Sequence, residues 1–210
     1  MKELRQRLGR RFARLTTDVV TRHPRLWRVF RGSTRRQFNR MADRWDAMRS
    51  ADAVAPVEAG LERLKPPGRV LDLGTGTGRG AFAIARRIPR AEVVGLDVSD
   101  RMIDEARKNV PAELAGRVRF EVGDAARLPY DDASFDLVVH ANMFPFVDEL
   151  DRVLAPGGHA LFSFSSGPET PIYVSPERLR EQLGRRGFAE FAEFAAGSGT
   201  GFLARKPGRS

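Results

Sequence analysis

The sequence predicts an α/β fold, a doubly wound, seven-stranded, mostly parallel sheet with an antiparallel last strand, preceded by N-terminal helices. Three observations predict it. From Pro66 onward, short apolar runs alternate with segments whose apolar residues recur at helical spacing. The first run, "RVLDL", breaks into glycines at every second position (Gly74, Gly76, Gly78, Gly80) before a helical pattern resumes, as a buried strand does when it turns tightly into a helix. Only a short Gly-rich link separates the last two runs, which makes them an antiparallel pair.

Residues 1–50 read as helical. Leu4, Leu8, Phe12 and Leu15 form an apolar stripe among arginines, giving a basic amphipathic helix. Pro24 begins a second helix, and "RRQFNRMADRWDAMR" reads as a third, with Phe38, Met41, Trp45 and Met48 on one stripe. "GRVLDLG" is then strand one, "GAFAIARRI" a helix and "AEVVGLDVS" strand two. "DRMIDEARKNV" is a helix capped by Ser99 or Asp100, and "RVRFEVGDA" is strand three. "FDLVVHA" is strand four, "VDELDRVL" a short helix, "HALFSFS" strand five and "SPERLREQLGRRG" a helix. "FAEFAEFAA" and "GTGFLARK" close the sheet.

At 210 residues the chain is expected to form one domain, residues 51–210, with a basic helical extension at 1–50. The net charge of +9 is uneven: residues 1–50 carry 15 Lys/Arg against four acids, whereas the rest are slightly acidic. An RNA-modifying groove would concentrate basic residues in the chemical domain, so nucleic acid is an unexpected partner. Without cysteine there is no disulfide, thiolate metal site or thiol nucleophile, and no metal centre is expected. No apolar stretch approaches a membrane span and no signal-type segment follows the start. The expectation is a cytoplasmic protein, membrane-associated at most through residues 1–30, whose arginines and apolar stripe suit an anionic surface.

The glycine turn alone leaves the ligand open. Gly76-Thr77-Gly78-Arg79-Gly80-Ala81 satisfies a dinucleotide fingerprint, and Asp97 lies 21 residues after Gly76, near the spacing at which an acid meets a ribose. Ordered motifs around it discriminate. Asp72-Leu73-Gly74-Thr75-Gly76-Thr77-Gly78 forms an acid-x-G-x-G-x-G loop, Asp97 ends strand two, and Asp124-Ala125 follows strand three. "LPYDDASFDLVV" leads into strand four and "RVLAPGGHALF" into strand five. Together, over about residues 35–206, they resemble the class I S-adenosylmethionine-dependent methyltransferases of the ubiquinone/menaquinone-biosynthesis type, which have a Rossmann-like fold.

The resemblance implies S-adenosyl-L-methionine as cofactor, held by Asp72, Gly74, Thr75, Gly76, Gly78, Asp97, Val98, Asp124, Ala125 and His140. Asp72 would orient the ammonium or cap the turn, Asp97 would accept the ribose hydroxyls, and Asp124 with the Ala125 N–H would take the adenine edge. His140 is the candidate general base, with a buried strand-end histidine as the alternative; His159 reads as a core or edge-strand residue and His23 as solvated. Trp45, Asn142, Met143 and Phe144 would line the pocket of a small, lipophilic acceptor. The segment "HANMFPFVDELDRV" is shorter than the family's substrate loop, so the pocket is expected to be shallow, completed by the N-terminal helices, or closed by a partner subunit. Two rival readings remain, a non-catalytic cofactor-binding module and an RNA methyltransferase using the basic arm.

Overall fold

A computed structural model describes residues 13–208. Strands β1 (Arg69–Leu73), β2 (Glu92–Asp97), β3 (Val118–Val122), β4 (Phe135–Ala141), β5 (Leu154–Phe164), β6 (Ala189–Ala196) and β7 (Gly199–Arg205) form one sheet in the order β3-β2-β1-β4-β5-β7-β6. β1 to β5 pair in parallel, and β7 runs antiparallel to both β5 and β6. The mostly parallel sheet with an antiparallel last strand is the expected one, and the turn at Gly197, with φ +57°, makes the closing hairpin.

Helices cover both faces because the parallel strands are apolar on both. α4 (Arg79–Arg87) and α5 (Asp100–Lys108) follow the first two strands, and α6 (Val147–Val153) and α7 (Pro176–Gly184) flank the fifth. Along β1, Val70 enters one core with Phe82 and Ile84 of α4, while Leu71 and Leu73 enter the opposite core with Phe162 and Leu179. Ser99 is the N-cap of α5 and accepts from the Met102 amide at 3.1 Å.

The N-terminal segment departs from its expected outline. Residues 13–22 form helix α1, after which α2 runs continuously over Trp27–Asn39. The third expected helix does not form: α2 takes its first part, and Ala42–Arg44 and Asp46–Met48 are short 3-10 turns. Phe38 and Trp45 still meet edge to face at 5.5 Å, but Met48 of the same stripe is exposed. Leu4, Leu8 and Phe12 lie outside the described residues, and Leu15, the last of their stripe, is 62% exposed, because α1 packs its Thr16, Thr17, Val20 and Thr21 side inward. An unexpected helix α3 (Ala55–Leu61) precedes β1; Pro56, Val57, Gly60 and Leu61 bury its inner face, and Gly60 meets Leu161 of β5.

Candidate functional site

The glycine turn joins β1 to α4 at the carboxyl edge of the sheet, where open α/β sheets bind ligands. Gly74, Gly76 and Gly78 have φ of +70°, +55° and +89°, which residues with a Cβ rarely adopt. Their jobs differ. A Cβ on Gly78 would lie 2.7 Å from Phe120 and 2.9 Å from Phe82, so Gly78 is required by helix-on-sheet packing. Gly74 and Gly76 instead face a cavity of about 280 Å³ between the strand ends and the N-terminal segment.

Asp97, Val98 and Ala125 line this cavity beside the glycine turn, with Trp45, Asn142, Met143 and Phe144 around it. The structure brings these residues of the sequence reading around one cavity. Asp97 Oδ2 accepts from the Gly76 amide at 3.0 Å and Oδ1 from the Ser99 amide at 2.8 Å, which locks the carboxylate at the turn. Each oxygen keeps a further lone pair for another donor. Burial pushes this acid up to about 6, against the opposing pull of the Ser99, Gly76 and Val98 amides. Asn142, with φ +53°, accepts through Oδ1 from the Ser165 amide at 2.9 Å and so fixes the loop that carries Met143 and Phe144.

Four expected residues sit elsewhere. Asp72 is fully buried: strand alternation turns it, like Val70, toward α4, where it accepts from Thr75 Oγ1 at 2.7 Å. Burial pushes its acid up to about 7, with the Thr75 hydroxyl opposing and Asp97 adding to the rise. Asp72 and Thr75 therefore brace the turn from behind. His140 faces the other side of the sheet, 0% exposed, its ring stacked on Phe162 at 4.7 Å and neither nitrogen bonded. Burial pushes it down to about 3, so the ring is neutral and does not reach the cavity; this corrects the expectation of a base at that position. Asp124 is turned out to the N-terminal segment. Its Oδ1 accepts from Trp27 Nε1 and its Oδ2 from an Arg31 guanidinium N–H, both at 2.8 Å. It binds α2, not the cavity, a contact between residues 97 and 93 positions apart that local sequence does not announce.

The N-terminal segment closes the cavity, the second of the outcomes its short substrate loop allowed. Besides the Asp124 contacts, Arg35 and Asn39 of α2 donate to Asp100, and Thr77 Oγ1 of the glycine turn donates to Asp46 at 2.6 Å. The sequence reading missed Arg49, whose guanidinium lies 4.2 Å from the Trp45 ring centroid and 3.4 Å from Ser165 Oγ. Burial and the neighbouring Arg79 lower its affinity for a proton. Its separation from Trp45 by four residues was the available signal. Phe146, from the "HANMFPF" segment expected at the acceptor, is also on the wall, as is Ile172, which comes from a loop that carried no signal.

Residues 70–158 match the family described as "Methyltransferase domain". The chain is 42% identical over 120 residues to a demethylmenaquinone methyltransferase of Deinococcus radiodurans, covering 54% of this chain and 49% of that one. Over these residues the chain carries a methyltransferase domain and is similar to the class I S-adenosylmethionine-dependent methyltransferases. A malonyl-[acyl-carrier protein] O-methyltransferase of Halorhodospira halophila is 37% identical over 156 residues, 68% of this chain and 50% of the other. The chain therefore spans about half the length of these curated relatives. An S-adenosylmethionine-dependent methyltransferase of Aquifex aeolicus has the same fold, with a TM-score of 0.64 at 18% identity over 78% of this chain and 97% of that one.

The methyltransferase cofactor is S-adenosylmethionine, and the cavity fits it on two observations. The positive-φ Gly74 and Gly76 leave backbone bare at the cavity floor, where a Cβ would come within 3.2 Å of Met143 and 3.3 Å of Trp45. Asp97 presents acceptor capacity beside them. Among the described residues no group of His, Asp and Glu is arranged to hold a metal.

Proposed function

We propose that this methyltransferase serves a small, lipophilic acceptor held between the strand ends and the N-terminal cap. The observation that carries it is Asp97, locked by two backbone amides beside bare positive-φ glycines and facing a cavity whose other walls are Trp45, Met143, Phe144 and Phe146. Asp97 accepts the ribose hydroxyls, Gly74 and Gly76 let the methionine end approach, and Val98 and Ala125 border the adenine. Asp72, Thr75 and Gly78 hold the turn in shape. Arg49 pairs with the cofactor's carboxylate, a match of planar guanidinium to carboxylate in a partly desolvated place.

When bound, the cofactor supplies an activated methyl group on a sulfonium. What the chain adds is alignment and the exclusion of water by the aromatic walls. Among the described residues only Asp97 and Arg49 are ionisable groups on the cavity wall, and neither suits a proton-abstracting role at the acceptor. The acceptor must therefore arrive already nucleophilic or lose its proton to water. Of the names of the two relatives, the demethylmenaquinone methyltransferase supports a lipophilic acceptor, and the malonyl-[acyl-carrier protein] O-methyltransferase names an acyl group carried by a protein.

The division into an extension at 1–50 and a domain at 51–210 then becomes one of cap and catalytic body. The lipophilic acceptor fits a cytoplasmic protein that touches an anionic membrane through residues 1–30. Leu15, Leu26 and Val29 are exposed beside Arg22, Arg25 and Arg28, which supports such a contact. Among the described residues no helix is long and apolar enough to cross a membrane. Calorimetry with S-adenosylhomocysteine and with NAD tests the central claim. Binding of the first and not the second is expected; the reverse would overturn it.

A further inference from the structure

A second concavity, of about 850 Å³, lies behind Trp27. Trp27 and Phe146 line both this groove and the cofactor cavity, and their rings meet at 5.7 Å to form the partition. On the groove side the walls are basic. Seven arginines, from α1, α2, the turn between them and the loops after β3 and α7, face three carboxylates. Each carboxylate is already neutralised: Asp124 by Arg31, Asp148 by Arg186 and Glu149 by Arg152. The side chains of Arg22, Arg25, Arg28 and Arg127 make no hydrogen bond, ion pair or ring contact with any of the described residues.

Four guanidinium groups gathered in one groove repel one another, and among the described residues no carboxylate pairs with them. They neither cap a helix nor brace a loop, unlike Arg152, which ties Glu149 to the Leu128 and Tyr130 carbonyls. A ligand carrying two or more negative charges on tetrahedral oxyanions would relieve the repulsion and engage several forks at once. A single carboxylate would leave most of them unmatched.

We infer that this groove binds a phosphate or diphosphate group, and that the acceptor of the proposed methyl transfer is an amphiphile. Its phosphate end rests on Arg22, Arg25, Arg28 and Arg127, and its apolar end passes Trp27 and Phe146 into the cavity. The inference rests on the methyltransferase reading for the identity of the cavity, but the groove itself stands on its own residues. The same phosphate chemistry is found in a soluble phosphate ester and in a lipid headgroup.

Full-length protein titrated calorimetrically with inorganic pyrophosphate tests this, with S-adenosylhomocysteine titrated separately into the same preparation. Saturable pyrophosphate binding is expected at near-physiological salt. In the double variant Arg28→Glu/Arg127→Glu it should weaken about tenfold or more, the usual consequence of removing charge-assisted bonds to phosphate, with S-adenosylhomocysteine binding unchanged. Absence of pyrophosphate binding, or equal binding by the double variant, would overturn the proposal. Pyrophosphate binding without S-adenosylhomocysteine binding would keep the groove and remove the methyltransferase reading beside it. Competition from phosphatidylglycerol vesicles, but not phosphatidylcholine vesicles, assigns the phosphate to a lipid headgroup; failure of both to compete assigns it to a soluble ester.

Discussion

The two walls of the cofactor cavity are built by different physics. On the strand side, the glycine turn, Asp97 and Val98 are placed by the backbone, through positive φ at Gly74 and Gly76 and two main-chain amides on Asp97. On the cap side, Trp27, Arg31, Arg35, Asn39 and Asp46 hold the N-terminal segment through side-chain bonds to Asp124, Asp100 and Thr77. The first wall is stiff, because moving it breaks strand pairing. The second is held by partly exposed polar contacts and by Val20 and Trp27 in the core, with no strand pairing to break, which makes it the element able to open for ligand entry.

That contrast is open to attack by substitution. The largest effect belongs to Gly78→Ala, where the added Cβ meets Phe120 and Phe82 at a φ of +89°. A loss of about 3 kcal/mol is expected from combined overpacking and backbone strain, read by denaturant unfolding. A near-neutral result would mean that the turn is softer than its contacts imply.

His140→Leu should act with the opposite sign and about the same size, but only in acid. The unfolded histidine titrates near its ordinary 6.5, whereas the folded one stays neutral to about 3. Protonation therefore favours the unfolded state as pH falls from 6.5 toward 3, and the penalty at pH 4 is about 3 kcal/mol at ~1.4 kcal/mol per pH unit. The leucine variant escapes it, so its advantage should grow from pH 7 to pH 4. In both proteins Asp72 and Asp97 work the other way. Their folded values of about 7 and 6 lie above the unfolded range, so the cost of burying their charge is full above pH 7 and fades as pH drops through these values toward 4. An advantage that stays constant with pH would show that His140 is not held neutral.

Asp97→Ala and Asp124→Asn sharpen the comparison directly. Asp97→Ala should weaken S-adenosylhomocysteine by about 2 kcal/mol, the loss of two hydrogen bonds to a charged acceptor. Below pH 6 the same affinity should fall in the unaltered chain, as Asp97 takes up its proton. The smallest change is expected from Asp124→Asn, which forfeits the ion pair with Arg31 and keeps an acceptor for Trp27. About 1 kcal/mol of cap stability should go, seen as faster hydrogen exchange in α2, with affinity for S-adenosylhomocysteine little altered. If Asp124→Asn costs as much affinity as Asp97→Ala, Asp124 faces the ligand after all and the two walls act as one.

The sequence alone determined the sheet order's raw material, the glycine turn and the strand-end acid, since each depends on residues close together in the chain. "RVLDLGTGTG" specifies a strand, a turn of positive φ and a helix start within a dozen residues, and Asp97 follows from the end of the next strand. The tertiary structure alone decided which way three polar residues point. Asp72 and His140 lie on adjacent strands and face opposite sides of the sheet, a choice set by register and by what packs against each face. Asp124 was drawn to Trp27 and Arg31 across more than ninety residues. Helix α3 and the breakdown of the third expected helix into turns have the same origin: Pro56 and Gly60 fit against β5 and β7, and Asp46 is held by Thr77, so long-range contacts outweighed local helical periodicity.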